Sequence, residues 1–301
     1  MAIHPTALIH PSLDLPPDLE VGPYAVLDED VRLAPGIRIG PFCHLYPGVV
    51  LEAGVRLEDG VILGNAPQDM KYRGEKTGVR IGAGSHLREY ATVNRGTAAS
   101  ELTVIGSQCL IMAYTHVAHD CRIGDLAIIA NGVQMGGHVH IGKAAVISGM
   151  TGIHQYVSIG AGSFIGGGLR VDKDVLPFTK ALGDPLRFAG LNEIGLAKFP
   201  FGAGAGAALK AFYRGLSGGG ADGKVAALAR LGASGAGSDI GTAERPDRAG
   251  AEGIESGADA ICTGLHEGSG LPQGLREILL GFLSIQKRGL LLRKPAGGEA
   301  L

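Results

Sequence analysis

An aliphatic side chain returns at every sixth position from Ile3 to Val171, missing only at Asp69, Glu75 and Ala99. The register passes through Ile9, Leu27, Ile39, Leu51 and Leu63, resumes at Ile81, and continues through Ile105, Ile123, Ile141 and Ile159. A helix repeats about every 3.6 residues and a strand about every 2, so a strict period of six belongs to neither. It describes a coil of short strands that turns one side chain inward per repeat, a parallel β-helix. Gly often follows the aliphatic residue, as at Gly22, Gly40, Gly82, Gly106, Gly124 and Gly142. A triangular prism calls for small residues there, because the backbone bends tightly at its corners.

Charge and hydropathy exclude several classes. A formal net charge of −2 argues against a nucleic-acid binder, which would carry a basic face. No apolar run approaches the ~20 residues of a membrane span. Met1-Ala2-Ile3-His4-Pro5 offers neither the basic nor the apolar region of a signal peptide. Cys43, Cys109, Cys121 and Cys262 show no paired spacing and read as free thiols of a reducing compartment. A soluble, cytoplasmic protein is expected.

The beat stops after Val171, at Asp174-Val175-Leu176-Pro177, which divides the chain into a β-helix over 1–177 and a smaller C-terminal α-helical domain over 178–301. In the second part, Leu186 to Lys198, Ala207 to Leu216 and Pro272 to Leu292 read as helices. The Gly/Ala-rich stretch from about 217 to 270 has too little apolar surface to offset its ordering entropy and reads as a mobile insertion. Two excursions leave the prism wall, over 64–80 and 94–104. The first carries Pro67-Gln68-Asp69-Met70-Lys71-Tyr72, side chains able to hold a polar ligand.

The beat resembles that of the hexapeptide-repeat acyltransferases, whose left-handed β-helix takes three hexapeptides per coil. With that coil length, residues eighteen apart stack at about the ~4.8 Å strand spacing. His116, His119, His138, His140 and His154 then crowd one stretch of the prism. Asp120 lies under His138, and Gly137 and Gln155 lie successively over His119. Gly136 and Gly137 open room beside His119 and aim a backbone N–H into it. His4, His10, His44, His86 and His140 read as ordinary surface residues. The His-x4-His pair with which some β-helix proteins hold zinc between subunits is absent, so no metal and no other cofactor is expected.

His116-Val117-Ala118-His119-Asp120-Cys121, Gly136-Gly137-His138-Val139 and Gly149-Met150-Thr151-Gly152-Ile153-His154-Gln155 resemble three motifs of the UDP-N-acetylglucosamine 3-O-acyltransferases. Gln68-Asp69-Met70-Lys71-Tyr72 and Asn94-Arg95-Gly96-Thr97 are similar to that family's two loops. Likeness covers roughly residues 1 to 200 and returns at Ser284-Ile285-Gln286-Lys287-Arg288-Gly289-Leu290. The resemblance implies transfer of an (R)-3-hydroxyacyl group from acyl carrier protein to the 3-hydroxyl of UDP-N-acetylglucosamine, the first step of lipid A synthesis. It implies His119 as general base, Asp120 as its electrostatic partner and the Gly137 N–H as oxyanion donor. Successive strand residues point to opposite faces, so a His119–Asp120 contact requires the corner to bend there. Cys121, although adjacent, reads as structural.

By the same matching, Gln68, His116, His138, His154 and Gln155 line the substrate site. Asp69 and Lys71 reach in from a neighbouring subunit of a homotrimer with interfacial sites. Gly167 matches the position that limits acyl length, and a glycine there favours a chain of about fourteen carbons. Asn192 and Lys198 match the nucleotide grip, but in Asn192-Glu193-Ile194-Gly195-Leu196-Ala197-Lys198-Phe199 the acid is displaced by one and Phe199 replaces a basic residue. Asn94 stands where many relatives have His. Arg276, Lys287, Arg288, Arg293 and Lys294 are candidates for docking an acidic carrier protein. The alternatives are an N-acyltransferase on a UDP-3-amino sugar or glucosamine intermediate, and a non-catalytic scaffold. The sister N-acyltransferase normally carries an N-terminal uridine-binding domain, for which a beat beginning at Ile3 leaves no room. Intact His119, Gly137, His154 and the Asp69 loop argue against the scaffold.

Overall fold

In a computed structural model the described residues are 1–217 and 271–285. The hexads form strands of mostly two residues that stack in parallel into three sheets, the faces of a prism, which count eleven, nine and seven strands once a terminal hairpin is added to the first. The chain visits the faces in turn, as in Leu110–Ile111, His116–Val117 and Arg122–Ile123. Ile3 stands opposite Val21 and His116 opposite Gln134, the eighteen-residue offset that the period implies. The offset lengthens where the two loops leave the wall, with Leu63 opposite Val93 and Ile81 opposite Ile105. One residue per strand faces inward, and Leu45, Leu63, Ile81, Ile111 and Ile129 are wholly buried. Each such side chain contributes roughly 1.5–3 kcal/mol, so stability comes from repetition of the column and not from any single strand pair.

The corners bend through the left-handed backbone region even at non-glycine residues, among them Tyr114 (φ 60°), Asp120 (φ 59°) and His138 (φ 61°). Such a conformation costs about 1–2 kcal/mol per residue in isolation. Ladder hydrogen bonds on both sides hold it, as with His138 N–H donating to the His119 carbonyl at 3.0 Å.

Beyond the prism the structure differs from the expected helix over Leu186 to Lys198. Arg187–Leu191 is a strand, antiparallel to Thr179–Leu182, which itself continues the eleven-stranded face beside Phe164–Ile165. The open sheet edge supplies backbone partners for this hairpin, and Gly190 at φ 101° lies outside helical space. Helix remains only at Glu193–Leu196. The other two expected helices are found at Ala205–Ser217 and Gln273–Ile285. They share a second apolar cluster containing Phe178, Leu209, Phe212, Leu275 and Leu279. Tyr213 joins it to the prism, its hydroxyl donating to the Pro177 carbonyl at 2.8 Å. Arg276 is half-buried on the last helix. Cys262, the insertion over 218–270, and Lys287, Arg288, Arg293 and Lys294 lie outside the described residues.

Candidate active site

His116, His119, Asp120, His138, His154 and Gln155 gather at the corner between the nine- and seven-stranded faces. His119 and Asp120 occupy the crossing from His116–Val117 to Arg122–Ile123. Gly137 and His138 occupy the next, from Gln134–Met135 to His140–Ile141, and Gln155 the one after. Both loops leave from the same corner, after Ile62–Asn65 and after Thr92–Asn94.

The bend at Asp120 settles the contact that strand alternation forbids. Its positive φ turns the carboxylate back toward the preceding residue, and His119 Nδ1 lies 2.8 Å from Asp120 Oδ2. Thr97 N–H and Oγ1 donate to the two carboxylate oxygens at 3.0 and 2.7 Å, and Ser100 Oγ donates at 2.5 Å. Burial alone would raise the Asp120 carboxyl, but the hydrogen bonds from His119, Ser100 and Thr97 outweigh it and hold it well below the usual carboxylate range. An ionised carboxylate only accepts, so His119 must donate from Nδ1 and keep its lone pair on Nε2. That is the tautomer a general base requires.

Gly137 packs flat on this imidazole. A Cβ built there would stand 2.5 Å from His119 Cε1 and 2.6 Å from Nε2. Among the described residues no backbone carbonyl accepts from the Gly137 N–H. On the other side, the His138 ring meets His119 edge-on at 5.0 Å and stacks on Tyr156 at 4.5 Å. His116 Nδ1 pairs with Thr92 Oγ1 at 2.8 Å; burial, then the charge of nearby His119, lowers its pKa. An open cavity of about 920 Å³ lies over these groups, lined by His116, His119, Gly137, His138, His154 and Gln155.

Gln68, Asp69 and Lys71 line the same cavity from their own chain. The loop springs from the second face at the corner where His119 sits, so one chain brings the two together. Sequence reasoning assigns no site role to Tyr156, Thr97 or Ser100. Tyr156 could have been found by stacking it eighteen residues above His138; Thr97 and Ser100 sit on an out-of-register loop that no periodicity places. His119, Asp120 and His138 carry donor atoms within 4.8 Å of one another. This set fits a cation poorly, since Thr97, Ser100 and His119 already fill the four lone-pair positions of the Asp120 carboxylate. Cys121 is wholly buried, its thiol pushed up to about 12 by burial, which fits a structural role.

Residues 102–137 match the family model described as bacterial transferase hexapeptide (six repeats). The acyl-[acyl-carrier-protein]–UDP-N-acetylglucosamine O-acyltransferase of Thiobacillus denitrificans is 50% identical over 213 residues, 70% of this chain and 83% of that protein. The enzyme of that name from Verminephrobacter eiseniae is 48% identical over 213 residues, 70% of this chain and 81% of its own length. The chain belongs to this O-acyltransferase family. Against the relative from Gloeothece citriformis identity is 49%, but the match spans only 46% of this chain and 50% of that one. Among solved structures, the UDP-N-acetylglucosamine acyltransferase of Francisella novicida superimposes with a TM-score of 0.78 at 25% identity, covering 98% of this chain and 95% of that one. The Bacteroides fragilis enzyme gives 0.76 at 28% identity, covering 96% and 99%. Family membership makes the parallel β-helix the left-handed one of the hexapeptide transferases.

Three residues that the O-acyltransferase motifs assign to substrate binding lie elsewhere on the chain. Gly167 is exposed at the corner between the eleven- and nine-stranded faces. Asn192 is buried, and its Nδ2 donates to the Gly162 carbonyl at 2.8 Å. Lys198 is exposed just past the short helix Glu193–Leu196. Asn94 is buried and ties the loops, its Nδ2 donating to the Ala66 carbonyl at 3.0 Å.

Proposed function

We propose that this chain moves an (R)-3-hydroxyacyl group from acyl carrier protein to the 3-hydroxyl of UDP-N-acetylglucosamine, opening lipid A synthesis. The observation that carries the reading is the Asp120–His119–Gly137 stack, which supplies base, orienting acid and oxyanion donor on three adjoining residue positions. His119 Nε2 takes the proton of the sugar hydroxyl as its oxygen attacks the thioester carbonyl. The Gly137 N–H receives the tetrahedral oxyanion. Collapse breaks the carbon–sulfur bond, and the imidazolium returns its proton to the departing thiolate. No step passes through a covalent acyl-enzyme. His116, His138, His154, Gln155, Gln68, Asp69 and Lys71 would hold the substrates in the cavity that they line.

A homotrimer completes this reading. Gly167, which the family motif assigns to acyl length, lies one corner away from the cavity, so the acyl chain reaches it only if another copy presents that corner. Along the same corner run exposed apolar side chains: Tyr24 stacked on Phe42, Tyr90 on Tyr114, and Met150 at 74% exposure. Such a ridge is costly in water and fits burial against a second copy. Tyr90→Glu combined with Tyr114→Glu is therefore expected to give monomers by light scattering and to abolish transfer together with the trimer. A wild-type monomer with full activity would rule the trimer out.

The reaction is tested by mixing UDP-N-acetylglucosamine with 3-hydroxyacyl carrier proteins of several chain lengths and weighing the products by mass spectrometry. An alkali-labile ester is expected, with the fourteen-carbon donor preferred and Gly167→Met shifting the preference to shorter chains. Absence of any ester defeats the proposal, and an amide formed only with a UDP-3-amino sugar would reassign the acceptor.

A further inference from the structure

The loop after Thr92–Asn94 touches the cavity at none of its residues, yet it supplies three of the four hydrogen bonds on the Asp120 carboxylate. We infer that Thr97 and Ser100 are positioning residues for the base: they hold the Asp120 carboxylate so that His119 can present only Nε2 to the acceptor hydroxyl. This rests on the acyl-transfer reading above.

The geometry is specific. Thr97 Oγ1 donates to the same oxygen, Oδ2, that accepts from His119, while Thr97 N–H and Ser100 Oγ both bind Oδ1. The carboxylate is thereby fixed in rotation as well as in place. Without these donors it could swing toward His138, whose Nε2 lies only 3.7 Å from Oδ2. The clamp is itself held. Thr97 Oγ1 accepts from the Ala99 N–H at 3.2 Å, which aims its proton at Asp120. Gly96 carries no side chain because a Cβ there would stand 2.4 Å from the Leu102 nitrogen. Arg95 Nε donates to the Gly64 carbonyl at 2.6 Å, and Thr77 Oγ1 to the Gly96 carbonyl at 2.7 Å. The base-orienting loop is therefore strapped to the root of the loop that brings Gln68, Asp69 and Lys71 to the cavity.

Thr97→Val keeps the size and the backbone N–H but removes the hydroxyl. It is expected to lower kcat on the order of 10- to 100-fold with KM nearly unchanged, because only the orientation of the base is lost. Thr97→Ser restores kcat, and Ser100→Ala acts in the same direction as Thr97→Val. Wild-type kcat in Thr97→Val would overturn the inference, as would a loss confined to melting temperature. Nitrogen-15 NMR of His119, identified by its disappearance in His119→Gln, reads the tautomer without turnover. It separates failure of the clamp from failure of the transfer reaction. A single Nδ1–H tautomer is expected in the wild type and a mixture in the Thr97→Val, Ser100→Ala double variant. An unmixed tautomer in that variant overturns the inference even if transfer proceeds.

Discussion

Alanine in place of His119 is expected to lower kcat on the order of 10³- to 10⁴-fold while the prism stays intact. The imidazole is the group whose free nitrogen faces the cavity, and Asp120 has fixed which nitrogen that is. The fold has no comparable stake in the ring. Val117 and Cys121, on either side of it, belong to the inward column, whereas the His119 side chain stands 12% exposed at the corner. Circular dichroism and the oligomeric state should therefore match the wild type. Turnover close to wild type in a properly folded variant would remove His119 as the base, and with it the mechanism.

Gly137→Ala is expected to be nearly as damaging, about 10²- to 10³-fold in kcat, for a reason that has nothing to do with backbone freedom. Gly137 lies in ordinary backbone space, so alanine is locally permitted. The added methyl, however, would sit 2.5 Å from His119 Cε1 and push the ring off its Asp120 bond, displacing the base and the oxyanion donor together. A matched control exists at Gly124, where a Cβ would stand 2.6 Å from the Lys143 nitrogen, far from the cavity corner. Gly124→Ala is expected to lower the melting temperature and leave kcat per folded molecule unchanged. If the two variants lose kcat equally, or neither does, the special placement of Gly137 against His119 is wrong.

The prism was legible in the sequence because one inward residue per hexad is a demand of the fold itself, and neither hydrogen bonding nor packing can satisfy it otherwise. Stacking at an eighteen-residue offset then placed Gly137 over His119 and Asp120 under His138, as found. Alternation along a strand could not give the His119–Asp120 bond, which depends on a left-handed corner at Asp120. Thr97 enters the sequence reading only as part of a loop motif and Ser100 not at all, because the loop that carries them obeys no period. The helix expected at 186–198 failed because local apolar spacing was read without the open sheet edge that captures Arg187–Leu191. The Asn192 amide donates to the Gly162 carbonyl, a partner thirty positions away that no local pattern reveals.

That the groups proposed to react descend one corner on successive coils has a consequence for how such a site can change. Distances along the corner come in whole rungs of about 4.8 Å, set by the backbone ladder and closed to gradual stretching. A substrate longer or shorter by a fraction of a rung cannot be met by sliding base and oxyanion donor apart. Adaptation to new acyl chains or sugars is left to side chains projecting at fixed heights and to loops grafted onto the corner. The spacing between the catalytic groups behaves as a quantised ruler that selection can relabel but not rescale.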